Sequence, residues 1–168
     1  MAQQDPAGDD PYEVGRIIAL RRIESAPRTR ADVYQHLLSR GVPDEAAEAV
    51  CDRFVEVGLI DDVAYAHAWV ESRFRAKGNA PLRLRSELQR KGVSAEVIEE
   101  ALTQIEAEAL RERALELAHS LAPKYAGQEP AVAVRKVAAA LSRRGYPGSL
   151  VWSVAGEACS SSPEFNVP

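Results

Sequence analysis

The stretch LLSRGV at 37–42 has two further copies in the chain, LQRKGV at 88–93 and LSRRGY at 141–146. The glycines of the three copies recur about every fifty residues, a repeat length typical of helical arrays. Apolar residues stand four and eight positions before each glycine, and such pairs lie on one face of a helix. A glycine that follows a helix adopts a positive φ without strain. The stretch therefore predicts a helix that ends at a glycine turn, three times over.

Apolar spacing on both sides of the glycines predicts the rest of each repeat. One helix follows each glycine and another precedes each helix-glycine unit, both with the period of an α-helix. We predict an all-α fold, an elongated array of three tandem three-helix repeats at 12–58, 59–107 and 108–158. Flexible tails are expected at 1–11 and 159–168. A repeat of this size is marginally stable alone, so neighbouring repeats should support one another.

The composition of the 168 residues suits one modest helical protein and excludes a large multidomain enzyme. Hydrophobic residues make up 46% and aromatic residues 6%, which is enough for a core but gives little material for a β-sandwich. Cys51 and Cys159 form no CxxC motif, so we expect free thiols in a reducing cytoplasm. The sequence opens with no leader pattern and holds no run of bilayer-spanning length. We expect a soluble cytoplasmic protein without membrane contact.

Sequence patterns for catalysis or metal binding are missing. No glycine-rich phosphate loop occurs, and His36, His67 and His119 stand far apart in the sequence, without a neighbouring ligand or nucleophile. The adjacent carboxylates Asp61 and Asp62 are interpreted as capping residues at a helix start. The sequence predicts neither an enzyme nor a cofactor or metal site.

Charge is segregated along the chain, although the net charge is only -4. Between 71 and 91, seven basic residues stand against two acidic ones, whereas 41–62 and 95–112 are acidic. Too few acids lie within 71–91 to pair these bases locally, so we predict that they contact an anionic partner. The predicted contact residues are Arg73, Arg75, Lys77, Arg83, Arg85, Arg90 and Lys91. Secondary candidates, beside the other two glycines, are Arg40, Arg143 and Arg144.

The order helix, glycine turn, helix is also that of DNA-reading helix-turn-helix proteins. A recognition helix in the major groove approaches phosphates and should not be acidic. Here the helices that follow Gly41 and Gly92 carry the acidic blocks. We therefore expect contacts to phosphates or to an acidic protein surface, without base readout.

Four segments of the chain resemble the RecX family of bacterial regulatory proteins. They are GLIDDVAYA at 58–66, WVESR at 69–73, LRSELQRKGVS at 84–94 and ALSRRGY at 140–146. The resemblance runs from about Tyr12 to Glu157. It implies tandem three-helix repeats that bind within the groove of the RecA filament on single-stranded DNA. It also implies inhibition of ATP hydrolysis, strand exchange and co-protease function of RecA.

Three functions stay open on the sequence alone. The preferred one is a non-enzymatic modulator of the RecA nucleoprotein filament, a monomer that binds single-stranded DNA weakly and without sequence preference. The second is a nonspecific nucleic-acid-binding protein, and the third is a helical scaffold for protein interactions. Direct DNA binding predicts a steep salt dependence on naked single strands, whereas a filament regulator should bind the filament better than its components.

Overall fold

Helices account for the regular structure of the computed structural model, which describes residues 10–161. No strand occurs in this part of the chain. The α-helices are α1 (Pro11–Glu24), α2 (Arg30–Ser39), α3 (Asp44–Glu56), α4 (Asp62–Lys77), α5 (Pro81–Arg90), α6 (Ala95–Leu102), α7 (Ala107–Leu121), α8 (Pro130–Arg143) and α9 (Gly148–Ser161). A short 3-10 helix, Ala122–Tyr125, follows α7. The prediction of an all-α fold built from three-helix repeats is confirmed.

The last helix of the second repeat, α6, is shorter than predicted. It ends at Leu102, before the predicted end of the repeat at 107. The hydroxyl of Thr103 donates to the Glu100 carbonyl at 2.6 Å, a local bond that competes with continuation of the helix. At the termini, α9 runs three residues past the predicted end. The tail residues 1–9 and 162–168, predicted to be flexible, lie outside the described residues.

The three repeat glycines end their helices in the left-handed region, with φ of +82° at Gly41, +75° at Gly92 and +90° at Gly145. After α2, the N–H of Val42 donates to the Leu37 carbonyl at 3.1 Å. This bond closes the helix through a left-handed residue, which glycine adopts without a Cβ clash. The predicted glycine turns are confirmed.

The chain forms two compact units. Among the described residues, the first unit comprises those up to Ala66 together with Gln89–Val97, and the second comprises His67–Leu88 together with those from Ile98 to Ser161. The helices α4, α5 and α6 each contribute to both units, so the units do not coincide with the predicted repeat boundaries.

The core of the first unit lies among α1, α2 and α3. Val33, Leu37 and Val50 are fully buried there. Cys51 is also fully buried. Burial raises the pKa of the Cys51 thiol to about 11, so this residue stays protonated at neutral pH and serves as a small apolar core side chain.

Alanine forms much of the core of the second unit, where α7, α8 and α9 pack together. The buried alanines of these helices are Ala114, Ala118, Ala133, Ala138, Ala155 and Ala158. Such small side chains allow close helix approach. Tyr146, directly after Gly145, fills this core and is 2% exposed. Its hydroxyl has no hydrogen-bond partner among the described residues, and burial raises its pKa to about 12.

Replacing Tyr146 with phenylalanine is expected to raise the free energy of unfolding by about 1 kcal/mol, because the change removes a buried hydroxyl without a partner. The folded pKa of Tyr146 lies above the ordinary value of 10.0, so the folded state favours the neutral phenol. Wild-type stability should therefore fall as pH rises from 10 towards 12, and the variant should lose less. Urea denaturation at neutral and alkaline pH measures both effects. A variant less stable than wild type at pH 7 would contradict the expectation.

Candidate functional site

A contact between two repeats lies within the first unit. Thr29 stands twelve residues before Gly41, and its hydroxyl donates to the carbonyl of Lys91 at 2.7 Å. Thr29 is 1% exposed. Beside this bond, a Cβ added at Gly92 would overlap the side chain of Ala31. The glycine turn after α5 therefore packs closely on the start of α2.

The second unit contains the equivalent contact, one repeat further along. Ala80 stands twelve residues before Gly92, and its N–H donates to the Arg144 carbonyl at 2.7 Å. A Cβ added at Gly145 would lie 2.8 Å from the Cβ of Arg83 and 2.9 Å from the Ala80 carbonyl oxygen. The glycine turn after α8 thus packs on the start of α5. Both contacts place the basic residues that precede a glycine beside a cleft.

The cleft in the first unit, here called the first cleft, has a volume of about 400 Å³. It is lined by Arg28, Thr29, Ala31, Asp32, Gln35, Tyr65, Gln89, Arg90, Lys91 and Gly92. Lys91 Nζ lies 5.9 Å from the centre of the Tyr65 ring, a cation-π distance. Asp32 accepts two hydrogen bonds from Arg22, each 3.0 Å long. The first cleft therefore has mixed charge.

The cleft in the second unit, here called the second cleft, is larger, at about 700 Å³. It is lined by Ala76, Lys77, Asn79, Arg83, Arg113, Leu117, Leu121, Ala140, Arg143 and Arg144. Five of these residues are cationic and none is acidic. The second cleft is therefore the more strongly positive of the two, and it contains four of the ten predicted contact residues.

Backbone carbonyls hold three of the second cleft's guanidinium groups. Arg83 donates to the carbonyl of Arg143 at 3.3 Å, and Arg113 donates to that of Arg75 at 3.1 Å. Arg144 donates to the carbonyl of Lys77. Because a carbonyl is neutral, these bonds fix the side chains without cancelling their charge. Preorganised donors of this kind lose little freedom when an anion binds.

Carboxylates compensate only part of this charge. Arg83 is paired with Glu87 at 3.1 Å, and Arg113 with Glu116 at 2.7 Å. Within residues 10–161, no carboxylate forms an ion pair with the remaining three cations, Lys77, Arg143 and Arg144. Among the described residues, the second cleft thus keeps three positive charges without an acidic partner.

Four other predicted contact residues lie outside the two clefts. The guanidinium of Arg73 stacks 4.2 Å from the centre of the Trp69 ring. Arg75 is paired with Glu71 at 3.1 Å. Arg85 is paired with Glu99 at 2.6 Å. Arg40 lies in a shallow groove of the first unit, lined by Ile18, Arg21, Arg22, Ser25, His36 and Arg40.

The ten predicted residues are therefore not brought together at one site. Lys77, Arg83, Arg143 and Arg144 share the second cleft, while Arg90 and Lys91 line the first. Three members of the basic segment have carboxylate partners, and one of these partners, Glu99, comes from outside the segment. The expectation that 71–91 holds too few acids for pairing took no account of such distant partners.

Arg113 of the second cleft was missed by the sequence reasoning. It stands between Glu112 and Glu116, so a count of local charge hides it. Helical spacing was the available signal, because Arg113, Leu117 and Leu121 are four residues apart and share one face of α7. All three line the second cleft.

The paired carboxylates at the start of α4 cap helices, as interpreted from the sequence. Asp61 accepts a hydrogen bond from the Ala64 N–H at 2.8 Å. Asp62 accepts one from the Arg30 N–H at 2.9 Å, so it caps α2 rather than its own helix. Between residues 10 and 161, no cluster of three or more His, Cys, Asp or Glu side chains is placed to hold a metal ion. None of the helices in that range is long and apolar enough to cross a membrane.

Glycine turns that pack one three-helix repeat against another, with basic residues beside each contact, define a helical-repeat protein with surfaces suited to anions. Family models match three parts of the chain: the first, second and third three-helix domains of RecX match residues 16–54, 61–102 and 109–154. The chain belongs to the RecX family of regulatory proteins.

Similar proteins and structures cover most of the chain. A regulatory protein RecX from Streptomyces coelicolor is 39% identical over 92% of this chain and 82% of its own length. One from Thermobifida fusca is 37% identical over 90% and 82%. The crystal structure of RecX from Lactobacillus salivarius superposes with a TM-score of 0.83 at 22% identity, over 89% of this chain and 97% of that one. A second RecX crystal structure has a TM-score of 0.82 at 26% identity, over 93% and 79%.

Proposed function

We propose that this chain is a non-enzymatic, monomeric modulator of the RecA recombinase that binds the RecA filament on single-stranded DNA in the cytoplasm. The observation that carries the proposal is the match of all three repeats to the three RecX domains, in order. The cations that line the two clefts support it, because a nucleoprotein filament presents both phosphates and protein carboxylates.

The proposed effect on RecA is inhibition. A chain bound along the filament hinders its extension and turnover, and so lowers ATP hydrolysis, strand exchange and co-protease activity. The test is the rate of ATP hydrolysis by RecA on single-stranded DNA, with increasing amounts of the purified chain. Suppression at less than one chain per RecA protomer is the expected result. An unchanged rate at equimolar chain would overturn the proposed function.

Removing one cation from the first cleft and two from the second is expected to weaken filament binding at least tenfold. The variant is Lys77→Ala, Arg90→Ala and Arg143→Ala combined, three side chains that are exposed or line a cleft edge. If each meets a phosphate, the slope of log affinity against log salt should fall by about two units. Sedimentation of the chain with RecA filaments at several salt concentrations measures both quantities.

A matched control removes three exposed cations that line neither cleft, Arg53, Lys124 and Arg135. It should bind the filament within about twofold of wild type. Exposed charges contribute little to stability, so both triple variants should melt within a few degrees of wild type. Equal weakening by the control would show that net charge, and not the clefts, governs binding.

Nonspecific nucleic-acid binding is the second candidate function, favoured by the uncompensated cations of the second cleft. The two functions differ in their preferred target. A RecA modulator binds the filament more tightly than it binds either RecA or bare single-stranded DNA at the same salt concentration. Tighter binding to bare DNA than to the filament would favour the second candidate.

A further inference from the structure

We propose that the second cleft binds a single-stranded phosphodiester chain, with phosphates at Lys77, Arg143 and Arg144 and a base or sugar against Leu117 and Leu121. The inference rests on the proposed function only in taking the DNA of the filament as the source of the strand. It assigns this cleft to DNA and not to the RecA protein.

The charge of the second cleft selects a polyanion. A lone anion needs one or two donors, whereas here three cations stand without a carboxylate partner in one cleft of about 700 Å³. Successive nucleotides bring one negative charge each, so a short stretch of strand supplies the several charges that the cleft lacks.

The anchoring of the guanidinium groups favours phosphate oxygens as acceptors. The bond from Arg144 to the Lys77 carbonyl uses one N–H group of a five-donor fork and leaves others for an incoming oxygen. Lys77 and Arg143 form no ion pair within the described chain. They can therefore bind an anion without first breaking an internal ion pair. Arginine and lysine together are the usual backbone-positioning residues of nucleic-acid sites.

The apolar part of the second cleft's lining favours single-stranded DNA over other polyanions. Leu117 and Leu121, with Ala76 and Ala140, give the second cleft an apolar surface beside its cations. A duplex keeps its bases stacked inside, and an acidic peptide carries no flat apolar group on every unit. An unpaired strand offers a base or sugar next to each phosphate. Since no aromatic side chain is among the described residues that line the cleft, they offer no stacking partner, and binding should be weak and independent of sequence.

The test uses the full chain and a fluorescently labelled strand of twenty thymidines, with binding measured by anisotropy at several salt concentrations. The variant is Lys77→Ala with Arg143→Ala, which leaves intact the backbone carbonyls that hold Arg144 and Arg83. We expect at least a fivefold loss of affinity and a salt slope lower by about 1.4, from two phosphate contacts. The control, Lys124→Ala with Arg135→Ala, should bind within about twofold of wild type.

Two further results decide the assignment. A strand of the same length without bases should bind at least threefold more weakly, and polyglutamate of equal charge should displace the thymidine strand poorly. Equal binding of the double variant and wild type, or displacement by polyglutamate at equal charge, would overturn the proposal. Failure of the proposed function looks different: the wild-type chain would bind the strand, with the double variant impaired, but would leave RecA ATP hydrolysis unchanged.

Discussion

The variant Gly145→Ala is expected to be about 3 kcal/mol less stable than wild type. Its φ of +90° costs an L-residue about 1 to 2 kcal/mol. The added Cβ would also meet the backbone N of Arg83 and, at 2.9 Å, the Ala80 carbonyl oxygen. Backbone atoms at a helix start cannot yield without breaking the bond from Ala80 to Arg144, so overpacking adds about 1 to 3 kcal/mol. Thermal melting should show a fall of about 6 to 12 °C for a chain of this size.

The repeats supply a matched control for this change. Gly41 has a similar φ of +82°, but a Cβ added there meets nothing within 4 Å. The variant Gly41→Ala should therefore lose only the backbone cost, about 1 to 2 kcal/mol. At Gly92 the obstacle is the Cβ of Ala31, which is fixed to the backbone and has no other rotamer, so Gly92→Ala should lose about as much as Gly145→Ala. Equal losses at Gly41 and Gly145 would contradict the role of the close contact.

The order of helices could be predicted because local signals specify it. A glycine that follows an apolar i, i+4 pair marks the end of a helix. Because this pattern occurs three times, it defined both the length of the repeat and the position of the helices within it. The end of α6 was predicted less well, because nothing in the sequence at Thr103 indicates that the helix stops there. In the structure its hydroxyl bonds to the Glu100 carbonyl, and its N–H and that of Ile105 bond to carbonyls three residues back, which together mark the end of the helix.

The candidate site could be predicted only in part, because cleft formation depends on contacts between distant segments. The basic segment held Lys77 and Arg83 of the second cleft, but the local charge count could not reveal the pairing of Arg85 with Glu99. Nor did it reveal that Arg113, from an acidic stretch, lines the same cleft. No sequence pattern around Thr29 or Ala80 indicates that these residues contact the next repeat. The contacts between repeats are therefore seen only in the structure.

The variant Glu87→Ala is expected to lower the free energy of unfolding by about 3 kcal/mol. Its carboxylate accepts hydrogen bonds from Trp69 Nε1 and Asn79 Nδ2, each 3.0 Å long. It also accepts one from Arg83 Nε at 3.1 Å. Asn79 is 4% exposed, so loss of the acceptor leaves a buried donor without its charged partner, which costs about 1.5 to 3 kcal/mol. Urea denaturation of the full chain measures the change.

Two comparison variants separate this network from a simple loss of charge. Glu71→Ala breaks the exposed pair with Arg75, whose side chains are 53% and 78% exposed, and should cost less than about 0.5 kcal/mol. Glu87→Gln keeps one acceptor oxygen and places an amide N–H group among donors, so it should lose about half as much as Glu87→Ala. Since Arg83 lines the second cleft, Glu87→Gln also removes the carboxylate that is paired with it and should tighten binding of the thymidine strand. A loss at Glu87→Ala no larger than that at Glu71→Ala would show that the three hydrogen bonds do not hold this part of the second unit together.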